Sequence, residues 1–310
     1  ITHKYIERIC FIYGYNTRMI SKLSAPERIL LMPNAELPKA LALAEEISQY
    51  LAQRHIDHRV YSYQYEHLMQ EPDLEGWDVI LTVGGDGTLL RVGHLCVPLG
   101  LPILGIQAGR LGFLSELSET TWQEGLEQLL AGQYHLEERL TLCAELVRQS
   151  EATQKWDVIN EVVVSRGHIV RPIEIRVDLN EGYMTSYIAD GLIISTATGS
   201  TAYALAVGGP ILPPELRNML VLPIAPHLSL DRAVVLAEGA EVTLRAQCDH
   251  EAVLSVDGMG PVALKPTDFV HIAANPNSLR MVRFGEPNYF YRRLAAMMQN
   301  NPILKQNNYD

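Results

Sequence analysis

The sequence lacks paired cysteines and long apolar runs. Its four cysteines, Cys10, Cys96, Cys143 and Cys248, lie far apart, and no Cys-x-x-Cys spacing occurs. This spacing indicates neither a zinc site nor a disulfide framework, and it favours a reducing compartment. No apolar run approaches the roughly 18 residues that a membrane-spanning helix needs. We therefore expect a cytoplasmic protein that does not contact membranes.

Positive charge is scarce as well. The 25 lysines and arginines are outnumbered by 36 aspartates and glutamates, which gives a formal net charge of −11. Such an acidic chain is not expected to bind nucleic acid or an anionic membrane as its main role, although a local basic pocket could still hold phosphates. The length of 310 residues favours two domains over one large domain.

Two common phosphate-binding motifs are missing, but another glycine-rich segment is present. The dinucleotide fingerprint G-x-G-x-x-G and the lysine of a P-loop are both absent from it. The apolar run Val79–Val83 predicts a buried strand, and it leads into Gly84-Gly85-Asp86-Gly87-Thr88. An apolar pattern follows, with Thr88 as the expected helix N-cap. A strand, a glycine turn and a helix start together suit a phosphate, since free N–H groups and the helix N-terminus attract anions.

The unusual feature of this segment is its carboxylate. Asp86 would repel phosphate unless a cation bridges the two or the carboxylate serves a hydroxyl group. The pattern therefore predicts phosphoryl transfer to an alcohol, in which Asp86 orients the hydroxyl and accepts its proton while Mg²⁺ neutralises the donor. The alternative is an ordinary glycine-rich turn in which Asp86 is a solvated residue.

The first part of the chain alternates between strands and helices. Strands are predicted at Arg28–Met32 and Pro102–Ile106, and helices at Pro38–Arg54 and Ser118–Leu130, the latter with a capping box at Thr120 and Gln123. This alternation indicates a doubly wound parallel sheet. A second glycine-bearing loop spans 107–114, so both loops are expected at carboxyl ends of strands, where such sheets bind ligands.

From Arg139 onward, short β-rich runs predominate, including Leu279–Arg283, and they predict an antiparallel, sandwich-like β domain. We divide the chain into an N-terminal extension (1–27), an α/β domain (28–138), a β-rich domain (139–285) and a C-terminal helix and tail that returns to the first domain (286–310). Residues before about Met19 are expected to be a non-native or upstream-translated extension.

Three segments of the β-rich part carry candidate chemistry. Asn160 and Glu161 open an apolar strand, where neighbouring side chains face opposite ways, so one could face a site or both could mark a solvated strand start. The hydroxyl-rich segment 195–203 suits ribose, an amide or an adenine edge and ends in Tyr203, which could stack on a base; the alternative is an ordinary loop. Asp257 precedes a glycine at a strand-end turn, a pattern that is also common in purely structural turns. His94 is interpreted as a packed or solvated side chain.

Together these segments resemble one family, the NAD kinases, over roughly residues 28 to 300. Each motif is weak alone, and their order and spacing are specific. The matching motifs are 84–88, Gly105-Ile106 with 111–114, 160–163, 189–193, 196–203, 208–210, 223–227 and Asp257-Gly258.

The resemblance implies transfer of the ATP γ-phosphoryl group to the 2′-hydroxyl of the adenosine ribose of NAD, a Mg²⁺-type cation, and a homodimer or homotetramer. It implies Asp86 as the catalytic residue, and no side chain is assigned as a metal ligand. The residues that it places at the phosphates are Gly84, Gly85, Gly87 and Thr88. The residues that it places at NAD are Asp86, Gly87, Asn160, Glu161, Asp190 (from a neighbouring subunit), Thr198, Ala202, Tyr203 and Asp257.

The sequence departs from the family pattern at two positions. Ala197 stands where the family usually has proline, which removes a fixed φ angle, and Gln107 stands where it usually has asparagine. A lipid kinase of the diacylglycerol or sphingosine type shares the glycine loop, but segment 198–203 followed by Gly208-Gly209-Pro210 argues against it. A non-catalytic dinucleotide sensor would not need Asp86.

Overall fold

A computed structural model describes residues 23–62, 73–109, 112–148, 153–227, 232–285, 290, 291, 294 and 295. The expected extension before Met19 lies outside these residues. Within them, no helix is both long enough and apolar enough to cross a membrane.

The N-terminal part is built on a seven-stranded sheet. Its strands are β1 (Arg28–Pro33), β2 (Asp57–Val60), β3 (Val79–Gly84), β4 (Ile103–Gln107), β5 (Leu117–Ser118), β6 (His135–Arg139) and β19 (Leu279–Arg283). The order is β2-β1-β3-β4-β19-β6, with β5 also on β4. Strands β1 to β5 pair in parallel, as the alternation of strands and helices predicts.

Helices α1 (Pro38–Gln53), α2 (Asp86–Cys96) and α3 (Trp122–Leu130) accompany this sheet. Helix α1 lies where it was predicted, but the expected apolar stripe at 37, 41, 44, 47 and 51 was wrong at Leu37 and Leu41, which are each 38% exposed. Its buried residues are Ala40, Leu43, Ala44, Ile47 and Leu51.

The prediction for α3 was wrong at its start. Ser118 lies in β5, and the helix begins at Trp122 without a side-chain cap. The hydroxyl of Thr121 instead accepts a hydrogen bond from the Ser118 N–H at 2.9 Å, so it closes the turn before the helix rather than capping it.

The C-terminal part contains two six-stranded antiparallel sheets packed face to face, as expected for a sandwich. The strands are β7 (Leu142–Val147), β8 (Gln154–Val158), β9 (Glu161–Arg166), β10 (Ile173–Leu179), β11 (Gly182–Ala189), β12 (Gly191–Thr196), β13 (Asn218–Ile224), β14 (Val234–Ala237), β15 (Val242–Gln247), β16 (Ala252–Val256), β17 (Val262–Leu264) and β18 (Phe269–Ala274), with the short helix α4 (Tyr203–Ala206) after β12. The sheet orders are β11-β10-β15-β18-β7-β8 and β14-β13-β12-β9-β16-β17.

Strand β19 corrects the expectation for Leu279–Arg283. This run was expected in the antiparallel part, but it pairs in parallel with β4 and antiparallel with β6. Its apolar side chains are buried in the first part, where Leu279 and Met281 pack in the cluster of Ile80 and Ile103. The chain therefore already returns to the first sheet before the tail. In the predicted helix 289–298, residues 290, 291, 294 and 295 are described, and they are helical.

Candidate active site

Asp86 stands at the carboxyl end of β3, where the strand turns into a helix. Gly85 is the N-cap residue and Asp86 is the first residue of α2. The prediction that Thr88 caps the helix was therefore wrong: Thr88 already lies inside the first turn. Its hydroxyl instead accepts a hydrogen bond from Asn34 Nδ2 at 3.3 Å, which ties the helix start to the end of β1.

The Asp86 carboxylate holds the second glycine-bearing loop. Oδ2 accepts the N–H of Phe113 at 2.7 Å, and Oδ1 accepts the N–H of Leu114 at 3.1 Å. This contact requires glycine at 112, since a Cβ there would lie 2.1 Å from Oδ1. Each carboxylate oxygen has about two lone-pair sites, so each keeps one free for a substrate group. Asp86 remains partly exposed.

The predicted phosphate-binding glycines differ in their surroundings. Gly84 packs directly on Thr88, because a Cβ at 84 would lie 2.4 Å from the Thr88 hydroxyl oxygen. Gly85 lies over the amide of Gln107, whose Oε1 is buried and has no hydrogen-bond partner among the described residues. Gly87 is exposed, and a Cβ added there would meet nothing within 4 Å. The turn is thus closely packed at Gly84 and Gly85 and open at Gly87.

Asp257 has a very different environment. It lies in the β16–β17 turn with φ at +48°, followed by Gly258 at +73°. Its carboxylate is fully buried and accepts the N–H groups of Ile159, Asn160 and Glu161 at 2.7, 2.8 and 2.8 Å. His94 Nε2 on α2 lies 3.0 Å from Oδ2. Asp257 therefore holds the turn before β9 and joins it to the helix that begins at Asp86.

Asn160 and Glu161 are separated by the start of the strand. Asn160 lies in the turn between β8 and β9, and β9 begins at Glu161. The Glu161 side chain is buried, and within the described part of the chain its Oε2 has no hydrogen-bond partner. Burial, and next the nearby Asp257, raise the pKa of Glu161 to about 8, although the Tyr203 N–H donates to its carboxylate and opposes the shift.

The hydroxyl-rich segment uses most of its hydroxyls internally. Thr196 Oγ1 donates to the Ile159 carbonyl at 2.6 Å, and Ser195 Oγ donates to the Asn160 carbonyl at 3.2 Å. These bonds fasten the segment to the turn that Asp257 holds. Thr198 is buried, whereas Tyr203 is 43% exposed and free to offer its ring to a ligand.

Ala202 precedes Tyr203 at the start of α4 and is partly exposed, next to the buried Glu161. Asp190 is placed elsewhere. It precedes β12 at the end opposite Thr196, about 20 Å away along the strand. There its carboxylate pairs with Arg166 Nε at 3.1 Å. One copy of the chain therefore brings together all predicted site residues except Asp190.

A cleft of about 610 Å³ lies between the two parts of the chain. Helix α2 lines one side with Gly87 and His94, and β8 with the β16–β17 turn lines the other with Trp156 and Asp257. The cleft thus runs from the Asp86 turn along α2, and it is large enough for a substantial part of a nucleotide.

Sequence reasoning missed two contributors to this arrangement. The N–H groups of Phe113 and Leu114 orient Asp86, and the glycine-bearing loop after β4 was the available signal for them. His94, interpreted as merely packed or solvated, contacts Asp257 across the cleft wall. No sequence pattern could indicate that contact, because the two residues are distant in the chain.

Comparison with known families gives matches over most of the chain. The profile described as "ATP-NAD kinase N-terminal domain" matches residues 27–134, and the one described as "ATP-NAD kinase C-terminal domain" matches residues 159–284. The two matched segments lie on either side of the cleft and include Asp86 and Asp257 respectively.

Curated relatives agree with these profiles. A protein named NAD kinase from Dehalococcoides mccartyi is 39% identical over 231 residues, which cover 74% of this chain and 81% of the relative. Another protein of that name, from Chloroflexus aggregans, is 35% identical over 275 residues, which cover 89% of this chain and 99% of the relative.

Solved structures share the fold. Yeast NADH kinase complexed with NADH has a TM-score of 0.74 at 20% identity, covering 90% of this chain and 89% of that one. An NAD kinase from Archaeoglobus fulgidus in complex with ATP has a TM-score of 0.70 at 22% identity, covering 88% and 98%. At these identities the likeness shows the architecture.

Proposed function

The chain belongs to the NAD kinase family, and on that premise we propose that Asp86 is its catalytic residue. The activity is that of a phosphotransferase with an alcohol as acceptor. The γ-phosphoryl group of ATP is transferred to the 2′-hydroxyl of the adenosine ribose of NAD, and NADP is the product.

The observation that carries the role of Asp86 is the state of its carboxylate. Two backbone N–H groups orient it, and each oxygen keeps one lone-pair direction open, next to Gly87, which lines the cleft. A carboxylate held in this way can accept a hydrogen bond from a ribose hydroxyl and take its proton as the phosphoryl group arrives. Because its orientation is set before the substrate binds, no reorganisation is needed at that moment.

The donor phosphates are assigned to the glycine turn. Gly84, Gly85, Gly87 and Thr88 surround the N-terminus of α2, an eleven-residue helix whose first N–H groups favour anions. The open surface above Gly87 gives a phosphate room to approach the backbone, whereas the packed side below Gly84 keeps the turn rigid. Phosphoryl transfer depends mainly on such positioning.

The divalent cation belongs to this proposal. The described residues contain no group of three or more histidine, cysteine, aspartate or glutamate side chains that could hold a metal. We assign Mg²⁺ to the donor phosphates, because this ion keeps several waters and binds largely through substrate phosphates. When bound, the ion neutralises charge on the donor phosphates.

NAD is assigned to the opposite wall. Asn160, Glu161, Thr198, Ala202 and Tyr203 surround the β8–β9 turn and the start of α4, and Tyr203 offers an exposed ring for stacking on adenine. Asp257 is assigned a positioning role. Its oxygens accept the N–H groups of Ile159, Asn160 and Glu161, and Oδ2 lies 3.0 Å from His94 Nε2, so it supports NAD binding through the turn that it holds.

The proposed assembly is a homodimer or homotetramer in the cytoplasm. Asp190 lies about 20 Å along β12 from the rest of the site, so it could reach NAD only from a neighbouring subunit. The described cysteines, Cys96, Cys143 and Cys248, are free thiols, in keeping with a reducing compartment. Light scattering on the purified protein tests the assembly, and a monomer that forms NADP would contradict it.

The test of the proposal is NADP formation by the purified protein with NAD, ATP and Mg²⁺, measured beside Asp86→Ala. We expect NADP with the wild-type chain and its loss in the variant. If Asp86→Ala forms NADP as fast as the wild type does, the proposed reaction stands but Asp86 has no catalytic role in it. If no NADP forms with ATP or with polyphosphate, the proposed reaction itself fails.

A further inference from the structure

Four charged side chains form a buried cluster behind the candidate site. This cluster, the buried quartet, consists of Glu116, Glu137, Arg139 and Arg283. Their side chains are 10%, 9%, 4% and 1% exposed, respectively. Arg283 Nη1 lies 3.0 Å from Glu116 Oε2, Arg283 Nη2 lies 3.4 Å from Glu137 Oε1, and Arg139 Nε lies 2.6 Å from the same oxygen.

One end of the buried quartet reaches the loop that orients Asp86. Arg283 Nη1 donates to the Leu114 carbonyl at 3.1 Å, and the N–H of Leu114 donates to Asp86 at 3.1 Å. Glu116 adds a second hold on β19, since its Oε1 accepts the Phe284 N–H at 3.1 Å. Arg283 therefore contacts Leu114, whose N–H orients the Asp86 carboxylate, although Arg283 and Leu114 are 169 positions apart in the chain.

The other end reaches the wall assigned to NAD. Arg139 Nη1 lies 3.5 Å from the Thr198 Oγ1, and both side chains are buried. The chain of contacts therefore runs from Asp86 through Leu114, Arg283, Glu137 and Arg139 to Thr198. It connects the two walls of the site from behind, with no need for a ligand.

Stability alone does not explain such a cluster. A buried ion pair costs desolvation that its attraction only partly offsets, and well-packed apolar residues in its place are often no less stable. Ion pairs do set geometry, because a guanidinium binds carboxylates and carbonyls in a rigid planar fork that lysine cannot reproduce. The buried quartet is therefore suited to holding two loops at a defined separation.

We propose that Arg283 is a positioning residue for phosphoryl transfer, which acts by holding the Leu114 backbone against Asp86 and, through Glu137 and Arg139, by setting the distance to Thr198. The inference rests on the proposed catalytic role of Asp86. In this arrangement strand β19 does not contact the substrates. It acts on them indirectly, because it fixes the orientation of the Asp86 carboxylate.

The experiment compares Arg283→Lys with a matched control. Lysine keeps the positive charge but lacks the planar guanidinium group, so it cannot bind the Leu114 carbonyl and Glu137 at the same time. Arg148→Lys is the control, because Arg148 also pairs with a buried carboxylate, Asp268, at 2.9 Å, within the antiparallel sheets. Both variants are expected to melt at a lower temperature than the wild type, as measured by calorimetry.

Kinetics then separate positioning from stability. For Arg283→Lys we expect kcat to fall by about 10²-fold, with the KM for NAD changed by less than about threefold, because a small misplacement of a catalytic group affects the transition state. Arg148→Lys should keep the wild-type kcat. A folded Arg283→Lys with wild-type kcat, or an equal loss in Arg148→Lys, would overturn the proposal.

A double variant tests the route through Asp86. If Arg283 acts by aiming Asp86, then Arg283→Lys should lower kcat by less than about twofold in an Asp86→Asn background. An undiminished effect there would overturn the route, whatever the single variant shows. Retention of full activity by Asp86→Asn itself would instead refute the catalytic role of Asp86 on which this inference rests. If Arg283→Lys does not fold, Glu116→Gln removes one carboxylate partner of Arg283 and is judged by the same two criteria.

Discussion

The turns that carry Asp86 and Asp257 are alike in sequence and opposite in environment. Each aspartate follows an apolar strand and precedes a glycine. Asp86 accepts two N–H groups and stays partly exposed, whereas Asp257 accepts three, faces His94 as well, and is fully buried. The comparison teaches that the unused lone pairs of a carboxylate, rather than its motif, decide whether it can serve a substrate.

The largest difference is expected in turnover. Asp86→Asn removes the proton acceptor but keeps the size of the side chain, so kcat should fall by about 10³-fold while the Kd for NAD changes by less than about threefold. Steady-state kinetics and calorimetric titration with NAD measure the two quantities. Near-normal turnover in this variant would exclude the assigned role.

A smaller loss should follow when the loop around Asp86 is displaced. In Gly112→Ala the new Cβ would lie 2.1 Å from Asp86 Oδ1, so the carboxylate must move and kcat should fall by about 10²-fold. Gly87→Ala is the steric control, since its Cβ meets nothing within 4 Å, and its free energy of unfolding should change by less than about 0.5 kcal/mol. In urea unfolding, Gly112→Ala should therefore be destabilised more than Gly87→Ala. Equal destabilisation of the two variants would contradict the described packing.

Substitution of Asp257 should lower the stability of the protein more than its turnover. Asp257→Asn loses the negative charge that three N–H groups share, and we expect the free energy of unfolding to fall by about 2 kcal/mol. The affinity for NAD should fall with it, because the turn of Asn160 and Glu161 loosens. Denaturant unfolding and NAD titration test both effects. Wild-type stability in this variant would show that the buried carboxylate is not what holds the turn.

The last expected effect is a pH dependence of stability that comes from Glu161. Its pKa is raised to about 8 from an ordinary value of 4.5, so the folded state keeps a proton that the unfolded state releases. The resulting stabilisation is fully present below about pH 4.5 and is lost as the pH rises through about 8. Glu161→Gln should reduce this slope when unfolding is measured across that range in the ligand-free protein. An unchanged slope would assign the pH dependence to other groups.

The sequence predicted what local signals determine. The strand, glycine turn and helix around Asp86 follow from neighbouring residues, and so do the position of α1 and the division into a parallel and an antiparallel part. The start of α3 was misplaced because Ser118, Thr120 and Thr121 resemble capping residues but bond to one another before the helix begins.

Longer-range features lay beyond such reasoning. Strand β13, which lies between β12 and β14, was not predicted from the sequence. It ends in Pro223-Ile224, and a proline argues against a central strand. The place of β19 beside β4 depends on tertiary packing, as does the contact of Arg283 with Leu114. The role of Asp257 could not be inferred either, since a dipeptide does not reveal how many N–H groups will surround its carboxylate.

The most direct test of this account measures Asp86→Asn and Asp257→Asn in one series, with kcat for NADP formation on one axis and the free energy of unfolding on the other. We predict that Asp86→Asn moves almost entirely along the kcat axis and Asp257→Asn mainly along the stability axis. If both variants lose turnover and stability in the same proportion, the distinction between a catalytic and a positioning aspartate is wrong.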